Sequence, residues 1–334
     1  MAMTRIFYEV DADPGALADQ RVAVVGYGNQ GRSWALNLRD SGVDPVVCVR
    51  NDSSRASAIE DGFAAAPVEA AGDADVICLL VPDDVIPGLP IAPHDGALTI
   101  VASGYTLAFG RFDPAGDQAL VAPRMLGPEV RRCFEEGWGF ITGLGVHRDT
   151  TGTALERALA VARGIGGLRQ GAIEMTPRQE AVLDLAVEQV LSPALTHVNA
   201  AFVRLMLEHG IPIEAIITEL MLSGEVERSY TLVRKLGFVG QLGFHSPTSQ
   251  YGQLSRRGSY DDIDLHSRMQ VLLEDITSGR FADEWDAQRD AGHPRLAELW
   301  EQYANEGIAE FETDLRRRLG EAVTPNGPAD PALP

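Results

Sequence analysis

Residues 21–31, RVAVVGYGNQG, constrain this chain more than any other stretch. Residues 21–26 form a short apolar run that stops on glycine, the pattern of a strand buried on both faces of a parallel sheet. The residues that follow, QGRSWALNLRDSG (30–42), set Trp34, Ala35 and Leu38 at helical spacing and end at Gly42. A GxGxxG motif, Gly26-Tyr27-Gly28-Asn29-Gln30-Gly31, therefore lies between a strand and a helix. In that setting the first glycine permits a tight turn, the second lets the backbone approach a pyrophosphate, and the third lets helix and strand pack closely. The free N–H groups and dipole at the helix N-terminus favour an anion there. These six residues are read as a dinucleotide-binding turn.

The alternation continues downstream. PVVCVR (45–50), ADVICLLVP (74–82), GALTIVASG (96–104), QALVAPR (118–124) and WGFITGLGV (138–146) read as strands. SRASAIEDG (54–62) and LERALAVARGIG (155–166) read as helices, which predicts a Rossmann-type parallel sheet covered on both faces over residues 1–176. From Pro177 the pattern is helical throughout, so residues 177–322 are expected to form an all-helical second domain. A chain of 334 residues is long enough for two such cores. Residues 323–334, VTPNGPADPALP, have the composition of a disordered tail.

The end of the second strand in such a fold discriminates between cofactors: an acid binds ribose hydroxyls, an arginine a 2′-phosphate. Here Arg50 is followed by Asn51, Asp52, Ser53, Ser54 and Arg55. Arg50, Ser53, Ser54 and Arg55 make a candidate phosphate clamp. NADPH is the expected cofactor, with NADH as the alternative, and Asp52 suits the clamp only if its carboxylate turns away.

The formal charge of −20, from 28 basic and 48 acidic residues, argues against nucleic acid or an anionic membrane as partner. No apolar run of about 20 residues stands out as a membrane span. The N-terminus shows no secretion signal, and the three cysteines, Cys48, Cys78 and Cys133, are widely spaced. Reduced thiols and a cytoplasmic location are expected. On the first long helix, Asp184 and Glu188 are four residues apart and share a face within an apolar stretch. Such a pair either holds a divalent cation, with Mg²⁺ suited to oxygen ligands, or forms an exposed, solvated stripe.

Several longer runs extend these readings: IFYEVDAD, VAVVGYGNQGRSWALNLRDSGVD, LLVPDDV, VAPR with GPEVRR, ARGIGG, LDLAVEQ, ITSGRFADEW and AGHPRLAEL. Together, from about Arg5 to Ala322, they resemble the ketol-acid reductoisomerases (acetohydroxy-acid isomeroreductases) of the short, class I type. That resemblance implies a Rossmann domain followed by a knotted helical domain, with NADPH, Mg²⁺ and a small-molecule substrate. It implies a homodimer or higher homo-oligomer whose active site is shared between subunits. The family reaction it implies is alkyl migration in a 2-hydroxy-2-alkyl-3-keto acid followed by hydride reduction of the 2-keto acid. By position, Asp184, Glu188 and Glu219 resemble metal ligands, and Ser246 resembles a serine that binds the substrate carboxylate. His245 and Ser223 fall beside the same substrate site. Val81, Pro82 and Asp83, within LLVPDDV, fall beside the cofactor.

The departures gather where the chemistry should be. Ser103 stands where the family has histidine, Arg124 where it has lysine, Pro128 where it has histidine, and Ser223 where it has a second glutamate. Alkyl migration needs a strong Lewis acid and a base, whereas hydride transfer needs a positioned cofactor and an electrophile. The expectation is a diverged NAD(P)H-dependent reductase of a 2-keto acid-like carbonyl or an imine, with Ser103 and Arg124 in the catalytic set. An authentic Mg²⁺-dependent reductoisomerase and a non-catalytic NADPH sensor are the alternatives.

Overall fold

Alternate residues of each central strand enter opposite cores. Val22 and Val24, Val76 and Cys78, and Leu98 and Ile100 face one side with Trp34, Leu38, Ala158 and Val161. Ala23 and Val25, and Ile77 and Leu79, face the other with Val68, Ala71, Ile86 and Leu107. Burial on both faces is why these strands read as unbroken apolar runs.

The computed structural model describes residues 3–304, 313–315 and 317–318, so the expected tail at 323–334 lies outside the described residues. The chain divides into two units, Met1–Asp184 and Leu185–Pro334. The strands of the first unit are β1 (Ile6–Phe7), β2 (Val22–Val25), β3 (Val46–Cys48), β4 (Ala65–Ala66), β5 (Val76–Leu79), β6 (Leu98–Val101), β7 (Asp117–Pro123), β8 (Thr142–Arg148) and β9 (Ala172–Glu174). They form one sheet in the order β1-β9-β8-β7-β6-β5-β2-β3-β4. The pairs from β4 to β7 are parallel, as the alternation predicts. The other flank is mixed: β8 runs antiparallel to β7, and β1 antiparallel to β9. The β7–β8 connection leaves and re-enters the sheet at the same edge, where Arg124 N–H donates to Ile141 O at 2.9 Å. A chain that returns at the edge it left must reverse direction.

The helices of this unit are α1 (Asn29–Asp40), α2 (Ser53–Glu60), α3 (Tyr105–Ala108), α4 (Gly127–Glu135), α5 (Ala154–Gly164) and α6 (Pro177–Ala186), the last ending just inside the second unit. All three cysteines are buried, and none forms a disulfide. Burial pushes the Cys48 thiol up to about 11 and that of Cys78 to about 12, so neither is a nucleophile at neutral pH.

At the end of the sheet opposite the glycine turn, the fully buried Asp117 pairs with Arg157 at 2.6 Å. Burial alone would raise the Asp117 pKa, but hydrogen bonds from the hydroxyls and backbone N–H groups of Thr151 and Thr150 hold it at about 2. Arg157 also donates to the carbonyls of Asp75 and Gly96, so one guanidinium ties the β5, β6 and β7 starts together.

The described residues of the second unit contain helices and no strands, as the sequence predicts. After α6 come α7 (Ser192–Glu208), α8 (Ile213–Ile217), α9 (Glu225–Leu242, kinked at Gly237), α10 (Pro247–Ser255), α11 (Leu265–Ser278), α12 (Arg280–Asp290) and α13 (Pro294–Ala304). Two turns are wound as π-helix, Val187–Leu191 and Thr218–Leu222. Pro193 explains the first: with no N–H to give Gln189, it leaves the turn ahead of it to widen. Ser192 closes that turn by donating both N–H and hydroxyl to Val187 O. Few large side chains here are buried, Val190, Ile216 and Ile276 among them, while Phe202, Phe238, Phe244 and Trp300 are exposed.

By length and composition alone, Pro177–Glu208 is long and apolar enough to cross a bilayer. It contains Glu180, Asp184 and Glu188, and such charges are costly at bilayer depth.

Removing Asp117 leaves a buried guanidinium without its counter-charge. Asp117→Ala is expected to cost about 3–5 kcal/mol in a urea unfolding titration. A loss below about 1 kcal/mol would show the pair to be dispensable.

Candidate functional site

The cofactor site begins with two close approaches. Gly26 has φ +93°, and a Cβ there would lie 2.6 Å from Leu80 O. A Cβ on Gly31 would lie 2.2 Å from Gly26 O, so α1 can start this close to β2 only on glycine. Gly28 differs, because a Cβ there meets nothing within 4 Å and would project into open space. The open side belongs to a cleft of about 240 Å³ lined by Gly26, Tyr27, Gly28, Arg50, Asp52, Ser54, Val81 and Pro82, among others. The N-terminus of α1 opens beside Gly28, its N-cap, which has no side chain to occupy the first N–H groups. That arrangement fits a pyrophosphate.

The other residues of the turn brace it. Gln30 Nε2 donates to Met125 O, and Gln30 Oε1 accepts from Trp34 Nε1, both at 3.2 Å. Asn29 packs against Gly127, where a Cβ would come within 2.7 Å.

At the end of β3, Asp52 caps α2 by accepting Ser54 N–H at 3.0 Å, and its other oxygen lies 3.4 Å from Arg50 Nε. The carboxylate is therefore engaged by the helix start and by Arg50. Ser53 opens α2, and its carbonyl accepts from Ser57. The Arg55 guanidinium donates through NH2 to Ala65 O, an edge-strand carbonyl ten residues on.

The first unit gathers a second group of charges at the C-terminal ends of β5, β6 and β7. Arg124 donates to Glu180 Oε1 at 2.7 Å and to Asp184 Oδ1 at 2.8 Å. Glu180 is 3% exposed, and its second oxygen accepts Gly104 N–H at 2.6 Å. Ser103 donates to Asp83 Oδ2 at 3.1 Å and accepts Tyr105 N–H. Burial pushes Asp83 up to about 6, against the Ser103 hydrogen bond and with help from the Asp184 and Asp84 charges. Burial likewise raises Glu180, although Gly104 N–H and Arg124 oppose it. Glu180 was missed in the sequence, yet Glu180, Asp184 and Glu188 repeat at four-residue spacing, which is a legible stripe.

The second unit carries the remaining candidates. Glu188 and Glu219 are exposed, and each lies in a π-wound turn. Ser223 follows the second of these turns and accepts Glu225 N–H. His245 Nε2 lies 3.0 Å from Gln241 Oε1, and Ser246 caps α10 by accepting Ser249 N–H. Among the described residues, no three His, Cys, Asp or Glu side chains come together as a metal-binding group.

A sheet with a glycine turn at its C-terminal edge, a free helix N-terminus and a cleft reaching the second strand defines a Rossmann-type, NAD(P)-linked oxidoreductase. Residues 16–171 match the acetohydroxy acid isomeroreductase NADPH-binding domain, and residues 178–321 the ketol-acid reductoisomerase C-terminal domain. The chain belongs to the ketol-acid reductoisomerase family. It is 35% identical over 328 residues to the ketol-acid reductoisomerase (NADP(+)) of Methanocaldococcus jannaschii, covering 95% of this chain and 99% of that protein. It is 38% identical over 326 residues to that of Caldivirga maquilingensis, again covering 95% and 99%. A solved structure of an NADH-preferring ketol-acid reductoisomerase from an uncultured archaeon superposes with a TM-score of 0.85 at 29% identity, over 94% of this chain and 98% of that one.

Folded Asp83 binds its proton more tightly than the unfolded chain does, so its contribution to stability falls as pH rises from about 4 to 6. Asp83→Asn removes that cost. It is expected to stabilise the protein by about 3 kcal/mol at pH 8 and by little at pH 4, read from paired thermal melts. A gain that is the same at both pH values would contradict the placement of this carboxyl.

Proposed function

We propose that this chain is an NAD(P)H-dependent reductase of a small 2-keto acid or a related carbonyl or imine, working in a reductoisomerase frame. The observation that carries the reading is Arg124, whose guanidinium is already engaged by both Glu180 and Asp184. A cation at Asp184 has to share that carboxylate with the guanidinium, and among the described residues no three His, Cys, Asp or Glu side chains come together to hold it. The side chains that the first unit brings together therefore do not by themselves fit Mg²⁺, and no step is derived through it.

The open face at Gly28 and the N-terminus of α1 fit a dinucleotide, which supplies hydride to the substrate carbon when bound. Arg50 and Ser54 are the groups proposed for a 2′-phosphate, which favours NADPH, with NADH usable. Arg124 is proposed to stabilise negative charge developing on the substrate oxygen, with Glu180 holding the guanidinium and the Gly104 backbone in register. Ser103 is the hydroxyl proposed to pass its proton to that oxygen while taking one from the protonated carboxyl of Asp83, which solvent then reprotonates. Ser246, Ser223 and His245 are proposed for the substrate, with residues 1–176 the cofactor domain and 177–322 the substrate and dimerisation domain. The exposed Phe202, Phe238, Phe244 and Trp300 support a homodimer, because apolar surface on this scale favours a second copy. A cytoplasmic location goes with this reading.

A second reading is the full Mg²⁺-dependent reductoisomerase. It is supported by retention of Asp184, Glu188, Glu219 and Ser246 and by 35–38% identity to relatives bearing that name. NADPH oxidation with acetolactate plus Mg²⁺, against a simple 2-keto acid with and without Mg²⁺, separates the two. The expected result is turnover of the 2-keto acid that survives chelation of Mg²⁺, with acetolactate turnover at least about 100-fold slower, a barrier difference of about 2.7 kcal/mol. Comparable Mg²⁺-dependent turnover of acetolactate would overturn the reductase reading in favour of the second.

A further inference from the structure

Tyr27, the residue between the first two glycines of the turn, does more than line the cleft. Its ring is nearly buried, and its hydroxyl donates to Asp61 Oδ2 at 2.8 Å. Arg32, on the first turn of α1, closes on the same carboxylate in bidentate fashion, with Nε 2.7 Å from Oδ2 and NH2 3.0 Å from Oδ1. Arg39, further along α1, donates to the Asp61 carbonyl at 2.6 Å and covers the Phe63 ring at 4.6 Å. Phe63 in turn meets Tyr27 edge-on, with ring centroids 5.9 Å apart.

Asp61 is the C-cap of α2, where the helix dipole disfavours an acid. Its place is explained by the groups it joins and not by the helix it ends. Arg32 holds Asp61 below the usual carboxylate range, while burial and Asp61 together push the Tyr27 phenol up. Donor and acceptor therefore keep their protonation states across neutral pH. At its other end α2 presents Asp52 and Ser54 to the cleft that Gly26 and Gly28 also line.

We propose that Asp61 is a positioning residue for the dinucleotide, fixing the glycine turn on α1 against α2 so that pyrophosphate and adenosine ribose meet their helix N-termini together. Tyr27 and Arg32 are its two hands on the turn. The ligand portion concerned is the adenosine half, common to NADPH and to 2′-phospho-ADP-ribose.

Calorimetric titration of the full chain with NADPH and with 2′-phospho-ADP-ribose tests this. Asp61→Asn is expected to weaken both ligands about tenfold, the scale of one charge-assisted hydrogen bond, and Tyr27→Phe about threefold. The double variant is expected to bind no more than about twofold worse than Asp61→Asn alone, since both changes break one network. Asp61→Glu, which keeps the carboxylate, should stay within about threefold of the parent chain. Unchanged affinity in Asp61→Asn and Tyr27→Phe, even with a lowered melting temperature, would overturn the proposal. So would loss of NADPH with full retention of 2′-phospho-ADP-ribose, or an Asp61→Glu chain as weak as Asp61→Asn.

Discussion

Everything functional in the first unit depends on one steric fact, the approach of α1 to the end of β2. A single carbon on Gly31 would stand 2.2 Å from Gly26 O, and one on Gly26 would stand 2.6 Å from Leu80 O. No side-chain rearrangement relieves a contact with backbone oxygen, so the position of the helix N-terminus is set by the absence of two methyl groups. Gly28 then leaves the space in front of that N-terminus open. Turn, helix dipole and cleft are one construction, and Gln30 extends it to the β7–α4 loop through Met125 O. That loop also carries Arg124, which links the cofactor turn to the carboxylate group.

Charge is managed locally in a chain whose formal balance is −20. Two buried or half-buried acids, Asp117 and Glu180, each have an arginine, but with different consequences. Asp117 is held strongly ionised by four hydroxyl and backbone donors besides Arg157, which makes it a structural staple. Glu180 shares Arg124 with Asp184 and sits near Asp83, which burial has already raised to about 6. The second arrangement is poised and the first is inert.

Much of this was legible from residue pattern alone. The β2 turn, the alternation through α5 and the helical second unit follow from apolar runs of strand length, glycine stops and helical spacing. The two-residue strands β1 and β4 and the three-residue β9 carry no periodic signal, because so few residues cannot show one. The reversal at β8 was also hidden, since a buried strand looks the same in either direction. In the site, Arg124 and Ser103 stood out as departures from a resembled pattern. Glu180 did not, and Asp83, read beside the cofactor, was not read as the partner of Ser103, because the pairings are made across 56 and 20 residues. The hydrogen bond of Arg55 to Ala65 O was hidden as well, because Ala65 lies on a strand too short to be seen.

The central claim is that the open face at Gly28 receives the cofactor, and Gly28→Val tests it most directly. Nothing lies within 4 Å of a Cβ at this position, and its φ of −84° suits any L-residue, so the variant should fold as the parent does. Calorimetric titration with NADPH should then show micromolar or tighter binding to the parent and at least about 100-fold weaker binding to Gly28→Val, as a branched side chain fills the pyrophosphate space. Equal affinity in two chains of equal melting temperature would contradict the account.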